Sequence, residues 1–224
     1  MGLPSNIAMT TNAPLPASTV KARLYPHVLF REVLGPDTVA GLLDYVRARE
    51  QTLKPALVRN RKSGLKRVDY GIRSSLAIAD LGPFKAPFEA FVREIGTRAA
   101  AQMNLSEPAL EPREFEITAY RDGTRFTAHI DTNERLNQVR VLSCVYYFAR
   151  TPRPFTGGEL RLYALPMMSA VKITSLPSID IVPETDTMAV FPSWLRHEVL
   201  PVNVPSGAWM DSRFTINCWL HRAA

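Results

Sequence analysis

The sequence predicts a mostly β domain of the α+β class, a barrel or sandwich with two helices covering one face. From about Leu110 onward, about eight short runs alternate apolar and polar residues, and turn pairs such as Asp122-Gly123 and Gly157-Gly158 separate them. Before that point, two segments carry apolar residues at helical spacing. The 224 residues, 46% of them hydrophobic, are enough for one domain with a sizeable core.

The two helices follow an entry strand predicted over residues 24–33. The first helix is predicted to begin at Pro36 and Asp37, and its apolar stripe comprises Val39, Leu42, Leu43 and Val46. The second helix is predicted over 84–103, with an apolar stripe of Phe88, Phe91, Val92 and Ile95. Each stripe indicates a helix that packs one face against the strands.

The chain is expected to divide into a flexible N-terminal segment, 1–22, and a single domain, 23–224. The N-terminal segment is polar and lacks the basic start and apolar block of a secretory signal. No run approaches the length of a membrane span, so no membrane association is expected. Cys144 and Cys218 lie in apolar strand-like runs, which favours buried free thiols and a cytoplasmic location. The net charge of +6 says little by itself about partners.

The stretch AHIDTN, residues 128–133, places a histidine and an aspartate on one face of a predicted strand. Strand side chains alternate, so His129 and Asp131 point the same way. Taken alone, this could be a hydrogen-bonded pair on a polar surface. His197, on a distant predicted strand, would complete a set of two histidines and one carboxylate. That set is typical of non-haem Fe(II) oxygenases because it leaves metal positions open.

The last strand, DSRFTINCWLH, carries an arginine on its polar face. Alternation groups Arg213 with Thr215 and Trp219, whereas Phe214 and its alternates form an apolar face. An exposed arginine on the outer surface is one interpretation. The other is a buried guanidinium whose partner arrives as a ligand, since its planar fork matches a carboxylate. Two phenols, Tyr147 and Tyr120, are predicted near the same end of the barrel, although core packing would also explain each of them.

Five segments in order carry a resemblance to a known family. They are YRDG…HID (120–131), SCVYYF (143–148), FTGGELRLY (155–163), FPSWLRHEVLPV (191–202) and RFTINCW (213–219). Over residues 112–222 the chain resembles iron(II)- and 2-oxoglutarate-dependent oxygenases of the prolyl 4-hydroxylase-like family. The resemblance implies a double-stranded β-helix, a jelly-roll or cupin-like barrel, over 111–224. Residues 23–110 would then supply helices packed on one sheet and a substrate-side loop.

The resemblance also implies roles for individual residues. His129, Asp131 and His197 would bind Fe(II) as the catalytic set. Arg213 would bind the far carboxylate of 2-oxoglutarate, with Thr215, Tyr147 and Tyr120 beside it, and Trp219 would lie near the metal and contact substrate. The implied cofactors are Fe(II), 2-oxoglutarate and O2, with ascorbate as a supporting reductant. The collagen-type members of the family use a lysine where this chain has Arg213.

The implied reaction is hydroxylation of an unactivated C–H bond with release of succinate and CO2. A prolyl or other peptidyl substrate is expected from the family, and a free amino acid or small metabolite is the alternative. A β-barrel that binds a ligand or metal without turnover remains as an alternative of another class. The oligomeric state is not predicted.

The substrate side is expected to involve a basic stretch, residues 54–73, with seven Lys or Arg and one Asp. Arg61 and Arg67 in this stretch, and Arg161 on a predicted strand, are candidates to pair with a carboxylate-bearing substrate. A solvated loop is the alternative. Nucleic acid is not expected, because the stretch has one aromatic residue, Tyr70. In addition, Trp219 stands where the alkylation-repair branch of the superfamily carries a second arginine.

Overall fold

The computed structural model describes residues 25–59, 65–105, 109–132, 140–164 and 176–223. Two α-helices lie in these ranges, α1 (Pro36–Arg47) and α2 (Lys85–Gln102), with short 3-10 helices at Glu50–Thr52, Gly82–Phe84 and Trp209–Asp211. The strands are β1 (Val28–Arg31), β2 (Lys54–Pro55), β3 (Leu57–Arg59), β4 (Lys66–Val68), β5 (Leu76–Ile78), β6 (Leu110–Tyr120), β7 (Phe126–His129), β8 (Arg140–Phe148), β9 (Thr156–Gly157), β10 (Leu160–Tyr163), β11 (Ser178–Ile181), β12 (Thr187–Pro192), β13 (His197–Val199), β14 (Val202–Asn203) and β15 (Arg213–Arg222).

The strands form two main antiparallel sheets. The larger sheet has the order β1-β12-β8-β15-β6-β5-β2, and the smaller one has the order β11-β10-β13-β7. A shared apolar cluster joins the two sheets face to face, with Tyr147 and Phe191 from the larger sheet and Leu160 and Leu162 from the smaller one. Within the described residues the sheets are separate and do not close into a ring. This arrangement confirms the predicted class and is compatible with a double-stranded β-helix.

Both helices pack on the outer face of the larger sheet, as predicted. The second core cluster combines apolar residues of α1 and α2 with every other residue of β15, from Phe214 to Leu220. A Cβ on Gly96 of α2 would lie 2.8 Å from a methyl carbon of Leu220, so this glycine permits a close approach of α2 to β15. The alternate residues of β15 therefore face the space between the sheets, which positions Arg213 and Thr215 for the site.

The two cysteines are free and buried, as predicted. They lie opposite each other on β8 and β15, where Cys144 is the register partner of Cys218. Burial raises the pKa of both thiols. Neither thiol is therefore suited to act as a nucleophile at neutral pH.

Some predicted features lie outside the described residues. These are the predicted flexible segment 1–22 and residues 60–64 of the basic stretch, which include Arg61. The rest of the basic stretch forms the two-stranded ribbon β3–β4 and the short strand β2. In the part of the chain that the structure describes, neither helix has the length and apolar character needed to cross a membrane.

Candidate active site

Three potential metal ligands converge between the two sheets. His129 ends β7, His197 begins β13, and the two are register partners across that strand pair. The Nε2 atom of His129 lies 3.5 Å from Asp131 Oδ1, and the Nε2 atom of His197 lies 3.5 Å from Asp131 Oδ2. One ligand atom from each residue lies within 4.8 Å of the other two. Three nitrogen and oxygen donors at these separations can bind one metal ion while leaving its other side open.

Backbone carbonyls set the tautomer of both imidazoles. The Nδ1 atom of His129 lies 2.8 Å from the carbonyl oxygen of Thr127, and that of His197 lies 2.9 Å from the carbonyl oxygen of Leu195. A carbonyl only accepts hydrogen bonds, so each Nδ1 carries the proton and each Nε2 keeps its lone pair. The two lone pairs face Asp131, which is the state that a metal ligand requires.

The Asp131 carboxylate is held by two donors from the larger sheet. Its Oδ2 accepts hydrogen bonds from Ser143 Oγ at 2.7 Å and from the Trp219 indole N–H at 2.9 Å. Burial alone would raise its pKa, but His197, His129 and the Ser143 hydrogen bond hold the pKa of Asp131 well below its usual range. Burial lowers the pKa of His197 to about 4, and repulsion by His129 in its protonated form adds to this effect. The carboxylate is therefore ionised and His197 is neutral at pH 7.

Arg213 lies in the same cavity, and no carboxylate of the described residues forms an ion pair with it. Its side chain is 1% exposed, and its Nε and Nη2 atoms are buried without a hydrogen-bond partner. The guanidinium carbon lies 4.9 Å from the centre of the Tyr120 ring and 5.1 Å from that of the Tyr147 ring. Burial lowers the pKa of Arg213 because water no longer solvates the charge. Since an unpaired buried cation is costly, this geometry fits an acidic ligand.

Hydroxyl groups around Arg213 add donors for the same ligand. The Tyr147 hydroxyl is buried and has no hydrogen-bond partner among the described residues, and burial raises its pKa to about 12, so the phenol stays protonated. The Asn217 amide donates to Thr118 Oγ1 at 3.2 Å, and Thr118 shares a short hydrogen bond with Thr215. When Thr118 donates to Thr215, the Thr215 hydroxyl proton is left for a ligand.

These residues line one cavity with about 470 Å³ of unfilled space, including its mouth. The three potential metal ligands, Arg213, Thr215 and Tyr120 all contribute to its lining, together with apolar side chains such as Val145 and Val199. The donor set suits Fe(II), and the orphaned guanidinium and phenol suit a carboxylate at some distance from the metal. The residues present therefore fit both Fe(II) and 2-oxoglutarate.

A glycine pair brings the chain close to Arg213. Gly158 has φ +69°, and a Cβ there would lie 2.6 Å from Arg213 Cδ. The same Cβ would lie 2.9 Å from Val202 Cγ2. Only a glycine fits this backbone conformation and contact without displacement. The Gly157-Gly158 pair predicts a turn from sequence, and this contact with Arg213 is visible only in the structure.

Two further arginines, Arg73 and Arg140, lie beside the three potential metal ligands. Arg73 is buried, donates to Ser75 and Glu116, and lines the cavity. Although burial opposes it, Glu116 raises the pKa of Arg73. Arg140 donates to the Asp131 carbonyl oxygen at 3.2 Å, and its guanidinium carbon lies 4.2 Å from the Trp219 ring centre. Arg73 belongs to the basic stretch and Arg140 begins β8, and the local sequence does not distinguish either of them from a surface arginine.

The structure does not bring the predicted substrate arginines together at the cavity. Arg161 makes two 2.8 Å hydrogen bonds to the Asp180 carboxylate. Its neighbour Leu162 pairs with His197 and is buried between the sheets, so Arg161 lies on the outer face of the smaller sheet. Arg67 is exposed, forms an ion pair with Asp69 at 2.7 Å, and lines the open groove outside the cavity. Trp219, by contrast, does line the cavity beside Asp131.

Comparison with known sequences shows which family the second half of the chain resembles. The model of the 2OG-Fe(II) oxygenase superfamily matches residues 115–221, which include all three potential metal ligands and Arg213. An uncharacterized PKHD-type hydroxylase of Synechocystis sp. is 36% identical over 122 residues. That alignment covers 54% of this chain and 40% of the relative, so the chain spans about two fifths of the relative's length.

Solved structures show the same fold. A Pseudomonas putida prolyl-4-hydroxylase superposes with a TM-score of 0.64 at 21% identity, covering 91% of this chain and 96% of that one. A Trichoplax adhaerens prolyl hydroxylase in complex with a hypoxia inducible factor oxygen degradation domain peptide fragment gives a TM-score of 0.61 at 18% identity, covering 90% and 86%. Residues 115–221 are therefore similar to the 2OG-Fe(II) oxygenase superfamily, and the chain shares the fold of two prolyl hydroxylases.

Proposed function

We propose that this protein is a dioxygenase that uses Fe(II) and 2-oxoglutarate to hydroxylate an unactivated C–H bond in a prolyl or other peptidyl substrate. One observation carries the proposal. A buried guanidinium with unpartnered nitrogens lines the same cavity as two imidazoles and a carboxylate whose ligand atoms lie within 4.8 Å. A barrel that only binds a metal does not need a buried guanidinium such as Arg213 to bind an anion in the same cavity.

Each residue has a defined part in this proposal. His129 and His197 offer Nε2 lone pairs to Fe(II), and Asp131 offers a carboxylate oxygen. Arg213 pairs with the far carboxylate of 2-oxoglutarate, while Tyr147 and Thr215 donate hydrogen bonds to it. When bound, Fe(II) and 2-oxoglutarate supply oxidation by O2, with conversion of 2-oxoglutarate to succinate and CO2. Val145 and Val199 limit water in the cavity, and Ser143 and Trp219 hold the Asp131 carboxylate.

A large open groove supports a peptidyl substrate over a free amino acid. The groove reaches His129 and Asp131 and has about 3340 Å³ of unfilled space including its open side, against about 470 Å³ for the inner cavity. Pockets for small molecules usually measure about 300–1,000 Å³. A space of this size suits a chain segment that lies across the metal site with one residue directed into it.

Succinate formation from 2-oxoglutarate with added Fe(II) tests the reaction. We expect slow turnover without substrate and faster turnover with a peptide that gains one oxygen by mass spectrometry. His129→Ala and Asp131→Ala should each abolish 2-oxoglutarate consumption while leaving the circular dichroism spectrum unchanged. Normal consumption in either variant, or faster turnover with free amino acids than with any peptide, would contradict the proposal. Absence of succinate under all conditions would favour a non-catalytic barrel.

A further inference from the structure

The groove beside the metal site is strongly basic. Eight lysine and arginine side chains contribute to its lining, against three carboxylates, one of which is Asp131 itself. The cations come from several separate elements, including β2, β4, β6 and α2. A groove lined with one sign of charge raises the local concentration of oppositely charged ligands.

The charge is distributed unevenly along the groove. Close to the three potential metal ligands, Arg73 is paired with Glu116 and Arg140 is paired with Glu114. The charges of these arginines are therefore compensated within the protein. A residue lying over the metal site would meet a surface that is close to neutral.

Three lysines in the groove are uncompensated. Lys54 on β2, Lys66 on β4 and Lys85 at the start of α2 line the groove but not the inner cavity. None of them forms an ion pair with a residue that the structure describes, and all three are exposed. The net positive charge of the groove therefore lies outside the cavity.

We propose that the substrate is an acidic peptide segment, which presents an uncharged target residue to the metal site and places Asp or Glu side chains against Lys54, Lys66 and Lys85. This inference rests on the proposed function of the same site. The acidic side chains speed the association of the peptide with the groove and fix its orientation there. Exposed charges act mainly on the association rate and on specificity.

A nucleic acid is the competing polyanion, and the groove favours the peptide. A nucleic acid carries a negative charge at every nucleotide. Its phosphates would therefore be repelled by the Glu114 and Glu116 carboxylates that line the groove near the metal site. A peptide can carry a neutral residue at that point and its charges elsewhere. The compensated arginines beside the metal and the uncompensated lysines beyond it match the second pattern.

Binding of labelled synthetic peptides to the full chain tests the inference directly. The probes are peptides of about twelve residues with one central proline, flanked by glutamates in one set and by glutamines in the other. Fluorescence anisotropy should show Kd values about 10-fold lower for the glutamate set. Because screening weakens exposed pairs, that advantage should fall several-fold between about 50 and about 300 mM salt.

Charge reversal locates the binding surface. Lys66→Glu should weaken binding of the glutamate peptide about 3-fold, and the triple variant Lys54→Glu, Lys66→Glu and Lys85→Glu should weaken it by about 10-fold or more. Arg98→Glu is the matched control, since Arg98 is an exposed residue of α2 that lines neither the groove nor the cavity. It carries the same change in charge and should leave the Kd unchanged.

The outcomes separate this inference from the proposed function. Equal binding of glutamate and glutamine peptides, an equal loss in Arg98→Glu, or tighter binding of a single-stranded oligonucleotide would each overturn the acidic-peptide inference. None of those results would change succinate formation without substrate, so the proposed function would still be supported. If no succinate forms while the acidic preference and the lysine dependence are found, the proposed function fails and the peptide groove remains.

Discussion

The indole N–H of Trp219 donates a hydrogen bond to Asp131 Oδ2 at 2.9 Å. The same oxygen accepts from Ser143, and the Arg140 guanidinium stacks over the Trp219 ring. Trp219 therefore acts on the carboxylate that faces both imidazoles. The family resemblance led us to expect an aromatic residue that contacts substrate, whereas the geometry adds a positioning role.

Trp219→Phe should weaken metal binding while keeping the ring in place. Loss of a hydrogen bond that orients a ligand typically costs 10- to 100-fold in metal affinity, so we expect a Kd for Co(II) about 10-fold higher than in the wild type. Titration of the metal-free protein, followed by visible absorbance, measures this without turnover. Trp194→Phe, at an exposed tryptophan, is the control. An unchanged Kd in Trp219→Phe would leave Trp219 with a packing role only.

Arg213→Ala should raise the apparent KM for 2-oxoglutarate far more than that for iron. The buried charge-assisted pair is worth on the order of 3 kcal/mol, or about 100-fold. Initial rates of succinate formation at varied 2-oxoglutarate give the constant. Arg213→Lys keeps the charge but loses the planar pair of N–H donors, so its KM for 2-oxoglutarate should lie between those of the wild type and Arg213→Ala. Arg161→Ala, on the outer face, should leave the KM unchanged, and a wild-type KM in Arg213→Ala would refute the assignment.

Gly158→Ala should impair 2-oxoglutarate binding through Arg213. The added methyl would lie 2.6 Å from Arg213 Cδ, so the guanidinium must shift. We expect a KM for 2-oxoglutarate about 10-fold higher and a loss of about 1–3 kcal/mol in the free energy of unfolding. Enzyme kinetics and urea denaturation measure the two effects.

Gly123→Ala separates contact from backbone strain. Gly123 has φ +70°, close to that of Gly158, but a Cβ there meets nothing within 4 Å. Gly123→Ala should lower the free energy of unfolding without changing the KM for 2-oxoglutarate. Equal KM values for the two variants would show that the contact with Arg213 does not matter.

Cys144 and Cys218 should not react with thiol reagents in the folded protein. Both are buried, and burial raises the pKa of both thiols, so little thiolate is present at neutral pH. Labelling with a disulfide reagent should proceed only as fast as the protein unfolds, and two thiols per chain should react in denaturant. Fast labelling of the native protein at either position would contradict this burial.

The sequence alone was sufficient for features that depend on local periodicity. Alternation along a strand has a period of two, so it placed His129 with Asp131 and Arg213 with Thr215 before any strand partner was known. The two helical stripes likewise predicted α1 and α2 and the face that each turns to the core. The turn residues between the runs marked where strands end.

Only the tertiary structure decided which arginines lie at the site. Local sequence does not predict where these arginines lie: Arg73 and Arg140 lie beside Asp131, Arg161 lies on the outer face, and Arg67 lines the outer groove and pairs with Asp69. The physical reason is that these positions depend on strand register and on partners far away in the chain, such as Glu116 for Arg73. Local periodicity says which residues share a face, but long-range pairing determines what that face meets.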